Sequence, residues 1–235
     1  MSRENLSESE NMTQFPQHDL EYYFDTAHEL AERVAEQADQ IDDERQIPAK
    51  LAAEFADKGF FRLLMPRSLG GAQLEHTDFL RILEILAAVD GSTAWCINQN
   101  NVHATNGLRM PLETAEEIYA ESRAVVTNGP PASSAKAGPC DGGYRLSGRW
   151  NFSSGITHAT WIAALAPIVQ LGQEPEAIFN REGAMIMLMP KEDVRFVDFW
   201  PVHGLRGTAS FSFEIDDLFV PKNRTYDPAG APRES

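Results

Sequence analysis

Apolar side chains recur at helical spacing through the first half of the chain. Between residues 18 and 41 they stand three or four positions apart, as on one face of an amphipathic helix: Leu20, Phe24, Ala27, Leu30, Ala31, Val34 and Ala38. A second helix is predicted to begin near Pro48, which suits a first helical turn, and to end at Gly59. Residues 59–71 follow, and we interpret them as a buried loop because proline and glycine bracket their apolar centre.

Three further helices are predicted before residue 120. Thr77 or Asp78 is a candidate N-cap for the first, Ser92 is a candidate for the second, and Pro111 suits the first turn of the third. We find no strand pattern in this part of the chain. The spacing therefore predicts about five helices in the first 120 residues.

The pattern changes at Arg123, beyond which apolar residues alternate with polar ones or run in short blocks. These are strand signals, and they fall at residues 124–129, 142–155, 161–169, 184–189, 194–199 and 210–220. Strands that follow a run of helices indicate an α+β chain, with an N-terminal all-helical domain and then a β-barrel or sandwich. We divide the chain into a disordered tail (1–16), a helical domain (17–122), a middle β-domain (123–222) and a linker or tail (223–235).

The strand that begins at the Gly142-Gly143 turn has two interpretations. Its aromatic and apolar residues share one face of a period-2 pattern and end at a small polar group: Tyr144, Leu146, Trp150 and Phe152, followed by Ser153, Ser154 and Gly155. Such rings and hydroxyls could hold a flat ligand and bind its edge. The same pattern also describes an ordinary sandwich strand with its aromatics in the core.

A second stripe of candidate residues lies on the helix after Ser92. Trp95, Gln99 and His103 are each four positions apart, which places them on one helix face. A tryptophan, an amide and an imidazole in one row could line a polar aromatic pocket. The alternative is a helix end that carries exposed amides.

Composition and charge narrow the class of protein. The net charge of −15 is concentrated at the start, since residues 1–46 hold 13 acidic and 3 basic side chains, and no Lys/Arg cluster supports nucleic-acid binding. With only Cys96 and Cys140, no apolar run of membrane-spanning length and no signal peptide, we expect a soluble cytoplasmic protein without a membrane partner.

Several site classes have no sequence signature here. The chain contains no Gly-x-Ser-x-Gly nucleophile motif, no His/Cys/Asp/Glu set with metal-ligand spacing, and no Walker or Gly-x-Gly-x-x-Gly loop. A metal site is therefore not expected. Any redox cofactor would have to be bound by the β-domain itself.

Taken together, four motifs resemble the acyl-CoA dehydrogenase superfamily. They are Leu64-Met-Pro-Arg-Ser-Leu-Gly-Gly71, Asp90-Gly-Ser-Thr-Ala-Trp95, Gly143-Tyr-Arg-Leu-Ser-Gly148, and Gly204-Leu-Arg-Gly-Thr-Ala-Ser210 with Phe219-Val-Pro221. The resemblance covers about residues 20–222. It implies the superfamily's N-terminal helical domain and middle β-domain.

Within the superfamily, the chain looks like the flavin-dependent monooxygenases. The dehydrogenases usually have Thr-Glu-Pro where this chain has Thr127-Asn-Gly, and Trp-Ile-Thr-Asn-Gly where it has Phe152-Ser-Ser-Gly-Ile156. The monooxygenase branch implies an oxygenase component that hydroxylates an aromatic or polycyclic phenol-like substrate. It uses reduced flavin, FMN or FAD, from a separate flavin reductase.

The resemblance also implies residue roles. His103 matches a histidine that assists the phenol, and Ser154 matches a serine that approaches the flavin N5 edge. These two are the predicted catalytic residues. The predicted cofactor-binding residues are Trp95, Asn128, Phe152, Ser153, Ser154 and Arg206.

One departure from the family pattern leaves alternatives open. The superfamily continues into a C-terminal four-helix bundle, and none of it lies in these 235 residues. Either this chain is a truncation, or a partner chain supplies the bundle. The expected assembly is accordingly a homo-oligomer or a complex with that partner chain. The competing functions are an acyl-CoA dehydrogenase-like FAD oxidoreductase and a non-catalytic binding or assembly subunit.

Overall fold

The computed structural model describes residues 18–169 and 183–233. The predicted disordered tail, residues 1–16, lies outside the described residues. Within them the chain is α+β, with helices first and two four-stranded sheets after. The predicted fold class is therefore confirmed.

The described residues include six α-helices: α1 Leu20–Glu36, α2 Ala38–Glu44, α3 Ala49–Asp57, α4 His76–Ala87, α5 Gly91–Thr105 and α6 Leu112–Tyr119. The single helix predicted over residues 18–41 is wrong, because the backbone leaves the helical conformation at Gln37 (φ −113°, ψ 9°). The break separates α1 from α2. Ile41, on α2, is buried in the same apolar cluster as the inner face of α1.

The helix ends confirm one prediction and correct two. Gly59 follows α3 with φ 79°, the left-handed conformation expected of a residue that ends a helix. α4 begins at His76, before either predicted cap. α5 is capped by Asp90, whose side chain accepts a hydrogen bond from the Thr93 amide at 2.6 Å, so Ser92 lies inside the first turn. The Asp90 carboxylate satisfies a free backbone N–H at this helix end, and its negative charge interacts favourably with the positive end of the helix dipole.

Within residues 123–169 and 183–233, the structure has eight strands: β1 Val126–Gly129, β2 Lys136–Cys140, β3 Gly143–Ser153, β4 Trp161–Pro167, β5 Ala184–Pro190, β6 Arg195–Val197, β7 Phe211–Pro221 and β8 Thr225–Tyr226. They form one sheet in the order β1-β4-β5-β8 and another in the order β2-β3-β7-β6. β2 and β8 were not predicted. β8 pairs with β5 through Tyr226 and Thr225, so the start of the segment assigned to a linker at 223–235 belongs to a sheet. Two residues are too few to show a period in the sequence.

The sheet β1-β4-β5-β8 is buried on both faces. Alternate residues of β4 point to opposite sides, since Ile162 and Ala164 pack between the two sheets while Ala163 packs towards the helices. Between the sheets, Trp150 of β3 stacks on Phe213 of β7 with ring centroids 5.1 Å apart. On the other face the sheet meets Met65, Ala104 and residues of α6. This sheet is therefore the layer that joins the helices to the sandwich.

Arg62 ties the loop after α3 to the chain just before β1. It is only 3% exposed, and its guanidinium donates to the carbonyl oxygens of Ser122 (3.2 Å), Tyr119 (3.0 Å) and Glu121. Burial lowers the pKa of Arg62 to about 10, so the group stays charged at neutral pH. Backbone carbonyls thus replace the water that this cation loses on folding.

Buried amides attach α5 to its neighbours. Asn101 accepts a hydrogen bond from the Leu64 amide at 3.1 Å and donates to the Phe60 carbonyl at 2.7 Å. Asn100 donates to the Val126 carbonyl of β1 at 3.2 Å. Asn100 and Asn101 are 1% and 0% exposed, so the alternative of a helix end with exposed amides is wrong for these two residues.

His158 completes this attachment. Its Nε2 lies 3.1 Å from the Asn100 Oδ1, and its ring stacks on Phe61 with centroids 5.1 Å apart. An amide oxygen only accepts, so Nε2 carries the proton. Burial and, as the smaller cause, the nearby charge of Lys191 together lower the pKa of His158 to about 3. His158 is therefore a neutral imidazole that joins α5 to the turn after β3.

Among residues 18–169 and 183–233, no helix is long and apolar enough to cross a bilayer.

Replacing Arg62 should destabilise the fold strongly. We expect Arg62→Met to lower the free energy of unfolding by roughly 3 kcal/mol, because several buried carbonyl oxygens would lose their donor. Urea denaturation followed by circular dichroism measures this change. Arg33→Met is the control, since Arg33 forms an exposed ion pair with Glu54 at 2.8 Å and its loss should cost under about 1 kcal/mol. Equal losses for the two variants would contradict this role of Arg62.

His158 should make the fold sensitive to acid. Its folded-state pKa lies below the unfolded value of about 6.5, so the unfolded chain binds the extra proton and stability falls as the pH drops from about 6.5 towards 3. One such proton corresponds to a slope of up to about 1.4 kcal/mol per pH unit. We expect His158→Gln, whose amide can still donate to Asn100, to show a shallower loss between pH 6.5 and 4.5 in urea denaturation. The exposed His28→Gln is the control, and a slope for His158→Gln equal to that of the wild type would refute the assignment.

Candidate active site

Trp95 and Ser154 meet at the boundary between the helices and the β-sandwich. Trp95 lies on α5 and Ser154 directly follows β3, and the indole N–H donates to the Ser154 Oγ at 2.9 Å. Trp95 keeps 42% of its surface exposed, whereas Ser154 keeps 7%. The structure therefore brings together two of the predicted site residues, one from each part of the fold.

The Ser154 hydroxyl continues into a row of hydroxyl groups. Its Oγ lies 2.8 Å from the Ser210 Oγ, which lies 2.6 Å from the Thr208 Oγ1. Thr208 in turn donates to the Leu205 carbonyl at 2.9 Å. Sequence reasoning did not identify Ser210 or Thr208 as site residues. Their signal is the Thr-x-Ser spacing just before β7, and the backbone between the two residues takes a positive φ at Ala209 (44°).

Backbone contacts hold the turn that carries Ser154. The Thr127 hydroxyl of β1 donates to the Ser154 carbonyl at 2.6 Å, and the Gly155 amide donates to the Thr208 carbonyl at 2.8 Å. Gly155 has φ 73°, and a Cβ there would meet the His158 ring at 2.7 Å. The turn is thus fixed by β1 and by the segment before β7, and its glycine is required by both conformation and space.

Phe152 is turned out of the sandwich. The pairing of β3 with β7 shifts between Trp150 and Ser153, and Phe152 takes φ 55° at this bulge. As a result its ring is 61% exposed and contacts Trp200 edge-on at 5.9 Å. The interpretation of Phe152 as a core residue in line with Trp150 is therefore wrong. A phenylalanine with positive φ is a strained residue of the kind found at functional sites.

Ser153 points the other way. It is 0% exposed, and its Oγ has no hydrogen-bond partner within the part of the chain that the structure describes. It packs closely on β1, where a Cβ at Gly129 would lie 2.5 Å from that Oγ. The Ser153 side chain is therefore buried against β1, away from the surface beside Phe152 where a cofactor would bind.

His103 lies in the last turn of α5, two residues before its end, and is hydrogen-bonded to Asn128 of β1. Burial lowers the pKa of His103 to about 4, and the bond with Asn128, which favours the protonated ring, opposes that effect. At neutral pH the ring is therefore uncharged. Asn128 follows Thr127, the residue that holds the Ser154 carbonyl, so one short strand positions both predicted catalytic residues.

Arg206, a predicted cofactor-binding residue, is bound to Asp42 on helix α2. Its Nε lies 3.1 Å from both the carboxylate and the backbone carbonyl of Asp42 on α2. Arg45, at the end of α2, makes the reciprocal pair with Asp198, with two N–O distances of 2.7 and 2.8 Å. These two ion pairs attach the 198–206 segment to α2. That segment carries Trp200, the ring that contacts Phe152.

The chemistry of this surface suits a flat, partly polar group such as a flavin. Phe152 and Trp95 present exposed aromatic surface, and the Ser154 hydroxyl lies beside the Trp95 indole N–H. A hydroxyl has one donor and two acceptor positions, so Ser154 can bind a polar atom at the edge of such a group. The residues present therefore fit a flavin at this surface.

Comparison with known proteins bears on the resemblance noted in the sequence. Residues 18–110 match the family described as "Acyl-CoA dehydrogenase, N-terminal domain". The chain is 30% identical over 213 residues to the flavin-dependent monooxygenase, oxygenase subunit HsaA, of Mycobacterium tuberculosis strain H37Rv, covering 91% of this chain and 52% of that protein. It is 32% identical over 195 residues to the oxygenase component of FADH2-dependent resorcinol hydroxylase from Rhizobium sp. strain MTP-10005, covering 83% and 46%.

Solved structures of flavin-related proteins have a similar fold over the part that they share with this chain. The crystal structure of HsaA from M. tuberculosis aligns with a TM-score of 0.78 at 29% identity, covering 88% of this chain and 52% of that one. XiaF from Streptomyces sp., solved in complex with FADH2 and glycerol, aligns with a TM-score of 0.76 at 25% identity, covering 88% and 53%. The chain spans about half the length of the curated relatives it matches. Over that half, the resemblance to the acyl-CoA dehydrogenase superfamily, and within it to the flavin-dependent monooxygenases, is confirmed.

Proposed function

We propose that this chain provides the flavin-facing and substrate-facing surface of a monooxygenase oxygenase component that hydroxylates an aromatic, phenol-like substrate. The observation that carries the proposal is the hydrogen bond between Trp95 and Ser154 at the boundary of helices and sandwich, with the exposed Phe152 two residues before Ser154. Relatives named as oxygenase subunits or components of aromatic hydroxylases support it.

In this proposal the flavin ring lies against Phe152 and Trp95. Both side chains are large, apolar and exposed, at 61% and 42%, and aromatic surface of this kind is stabilised when a flat ring covers it. Ser154 binds the polar N5 edge through its hydroxyl. A reduced flavin bound there supplies the electrons that activate dioxygen, while the protein orients the ring and excludes water.

His103 binds the substrate hydroxyl in its neutral form. A free imidazole with a pKa near 6.5 would be a better proton acceptor, but burial lowers the pKa of His103 to about 4. The ring nitrogen that is not bonded to Asn128 therefore offers a lone pair to a phenol O–H rather than removing the proton outright. Such a bond orients the ring and increases electron density at the adjacent carbon.

The remaining parts of the assembly are also proposals. The cofactor is reduced FMN or FAD, delivered by a separate reductase. A homo-oligomer, or a partner chain that supplies a helical bundle, covers the exposed aromatic surface. Arg206 contributes to the cofactor site through its attachment of the 198–206 segment to α2. The division into a helical domain to residue 122 and a β-domain from residue 123, and the cytoplasmic location, stay predictions.

Flavin binding is the first test. We expect the purified chain to bind FMN or FAD, and to support hydroxylation of a phenol that depends on NADH and an added flavin reductase, because reduced flavin is its proposed substrate. Binding is measured by anaerobic ultrafiltration and product by chromatography. Failure to bind either oxidised or reduced flavin at high micromolar concentration would exclude the function for this chain.

Variants of the two predicted catalytic residues should separate their roles. We expect His103→Asn to lower kcat/KM for the phenol by about 100-fold while the flavin Kd changes less than twofold, because the residue binds substrate. Ser154→Ala should weaken flavin binding itself. The wild-type rate should fall on the acid side with a midpoint near pH 4, since the neutral His103 is the active form. A midpoint near pH 6.5, or a flavin Kd altered equally by both variants, would contradict these roles.

A further inference from the structure

The hydroxyl row behind the Trp95–Ser154 contact has a fixed direction. Thr208 donates its hydroxyl hydrogen to the Leu205 carbonyl at 2.9 Å, and a carbonyl oxygen can only accept. A threonine hydroxyl has one hydrogen, so in its 2.6 Å contact with Ser210 it must accept. The Ser210 hydroxyl therefore donates its hydrogen to the Thr208 hydroxyl oxygen.

The same count fixes the Ser154 hydroxyl. Because Ser210 has no hydrogen left, Ser154 must be the donor in their 2.8 Å contact. The Trp95 indole N–H donates to Ser154 at 2.9 Å and takes one of its two lone pairs. Among the described residues, Ser154 is left with one unused position, and that position is a hydrogen-bond acceptor.

The row is placed where this direction will persist. Ser154, Ser210 and Thr208 are 7%, 3% and 1% exposed, so bulk water does not compete for their hydrogens. The reverse direction would lose the Thr208–Leu205 hydrogen bond, although the Leu205 carbonyl would keep the Trp200 indole N–H at 3.1 Å. The direction assigned here is the one in which every contact of the row is a hydrogen bond.

We infer that Ser210 and Thr208 are specificity-determining residues which hold Ser154 as an acceptor and so favour reduced over oxidised flavin. The inference rests on the proposed function. Reduced flavin carries a hydrogen on N5 and can donate to Ser154, whereas the N5 of oxidised flavin is itself an acceptor and meets a lone pair. The selectivity lies in two residues that need not touch the cofactor.

The test is the ratio of the dissociation constants for oxidised and reduced flavin. Ser210→Ala removes the acceptor of the Ser154 hydrogen, which becomes free to donate to oxidised N5. We expect this ratio to fall about tenfold, which for a two-electron couple lowers the midpoint potential of the bound flavin by about 30 mV. Thr208→Val should change the ratio in the same direction, because it frees the Ser210 hydrogen to turn towards Ser154. Ultrafiltration under anaerobic conditions and spectroelectrochemistry give the two readouts independently of turnover.

Conservative variants and a neighbouring serine serve as controls. Ser210→Thr and Thr208→Ser keep a hydroxyl at each position and should keep the wild-type ratio. Ser212→Ala is the matched control, since Ser212 is equally buried at 4% but bonds to Asn151 rather than to the row. Thermal unfolding of each variant shows whether the substitution has disrupted the fold. If Ser210→Ala does not fold, Thr208→Val still tests the inference.

The outcomes separate the two proposals. If the wild type binds flavin but neither Ser210→Ala nor Thr208→Val changes the ratio beyond the change in Ser212→Ala, this inference is overturned and the proposed function stands. If the ratio rises in the variants, the direction assigned to the row is wrong. If the wild-type chain binds neither form of flavin, the proposed function fails and this inference fails with it.

Discussion

The contact between α5 and β1 is made by polar groups that have lost their water, and the candidate site depends on it. Asn100 can bond both the Val126 carbonyl and the His158 ring only when the helix, the strand and the turn after β3 are all in place. A buried amide with an unmet donor or acceptor is costly, so few other arrangements of these elements are tolerated. Apolar packing alone would bring α5 to the sheet without fixing its rotation or its position along the strand.

That constraint is what places the site residues from distant parts of the chain. Once α5 is fixed on β1, Trp95 reaches Ser154 and His103 reaches Asn128. The bulge at Phe152, two residues before Ser154, ends the regular pairing of β3 with β7 and turns one aromatic ring outward while Trp150 stays in the core. The strain at Phe152 is offset by the packing and hydrogen bonds on both sides of it.

Burial also decides the chemistry of the histidines. His103 and His158 have pKa values lowered to about 4 and about 3 because the charged ring is poorly solvated in each place. His158 serves as a neutral structural donor to an amide. His103 is neutral for the same reason, which makes it a better partner for an uncharged phenol than for a phenolate. The residue type in the sequence gives no information on this point, since an exposed histidine would titrate near pH 6.5.

The sequence by itself determined the order of helices and strands, because helical and strand periods are local properties of neighbouring side chains. It also led to the prediction of Trp95, His103, Phe152 and Ser154 as site residues, through motifs that resemble a known family. It did not reveal β8, whose two residues are strand only because β5 lies beside them, nor the capping of α5 by Asp90 in place of Ser92. Nor did it show that Phe152 turns outward, that Ser153 is buried, or that Arg206 binds Asp42. Those features were decided by the tertiary structure, because each depends on which groups, far apart in the chain, must share buried space and satisfy one another's hydrogen bonds.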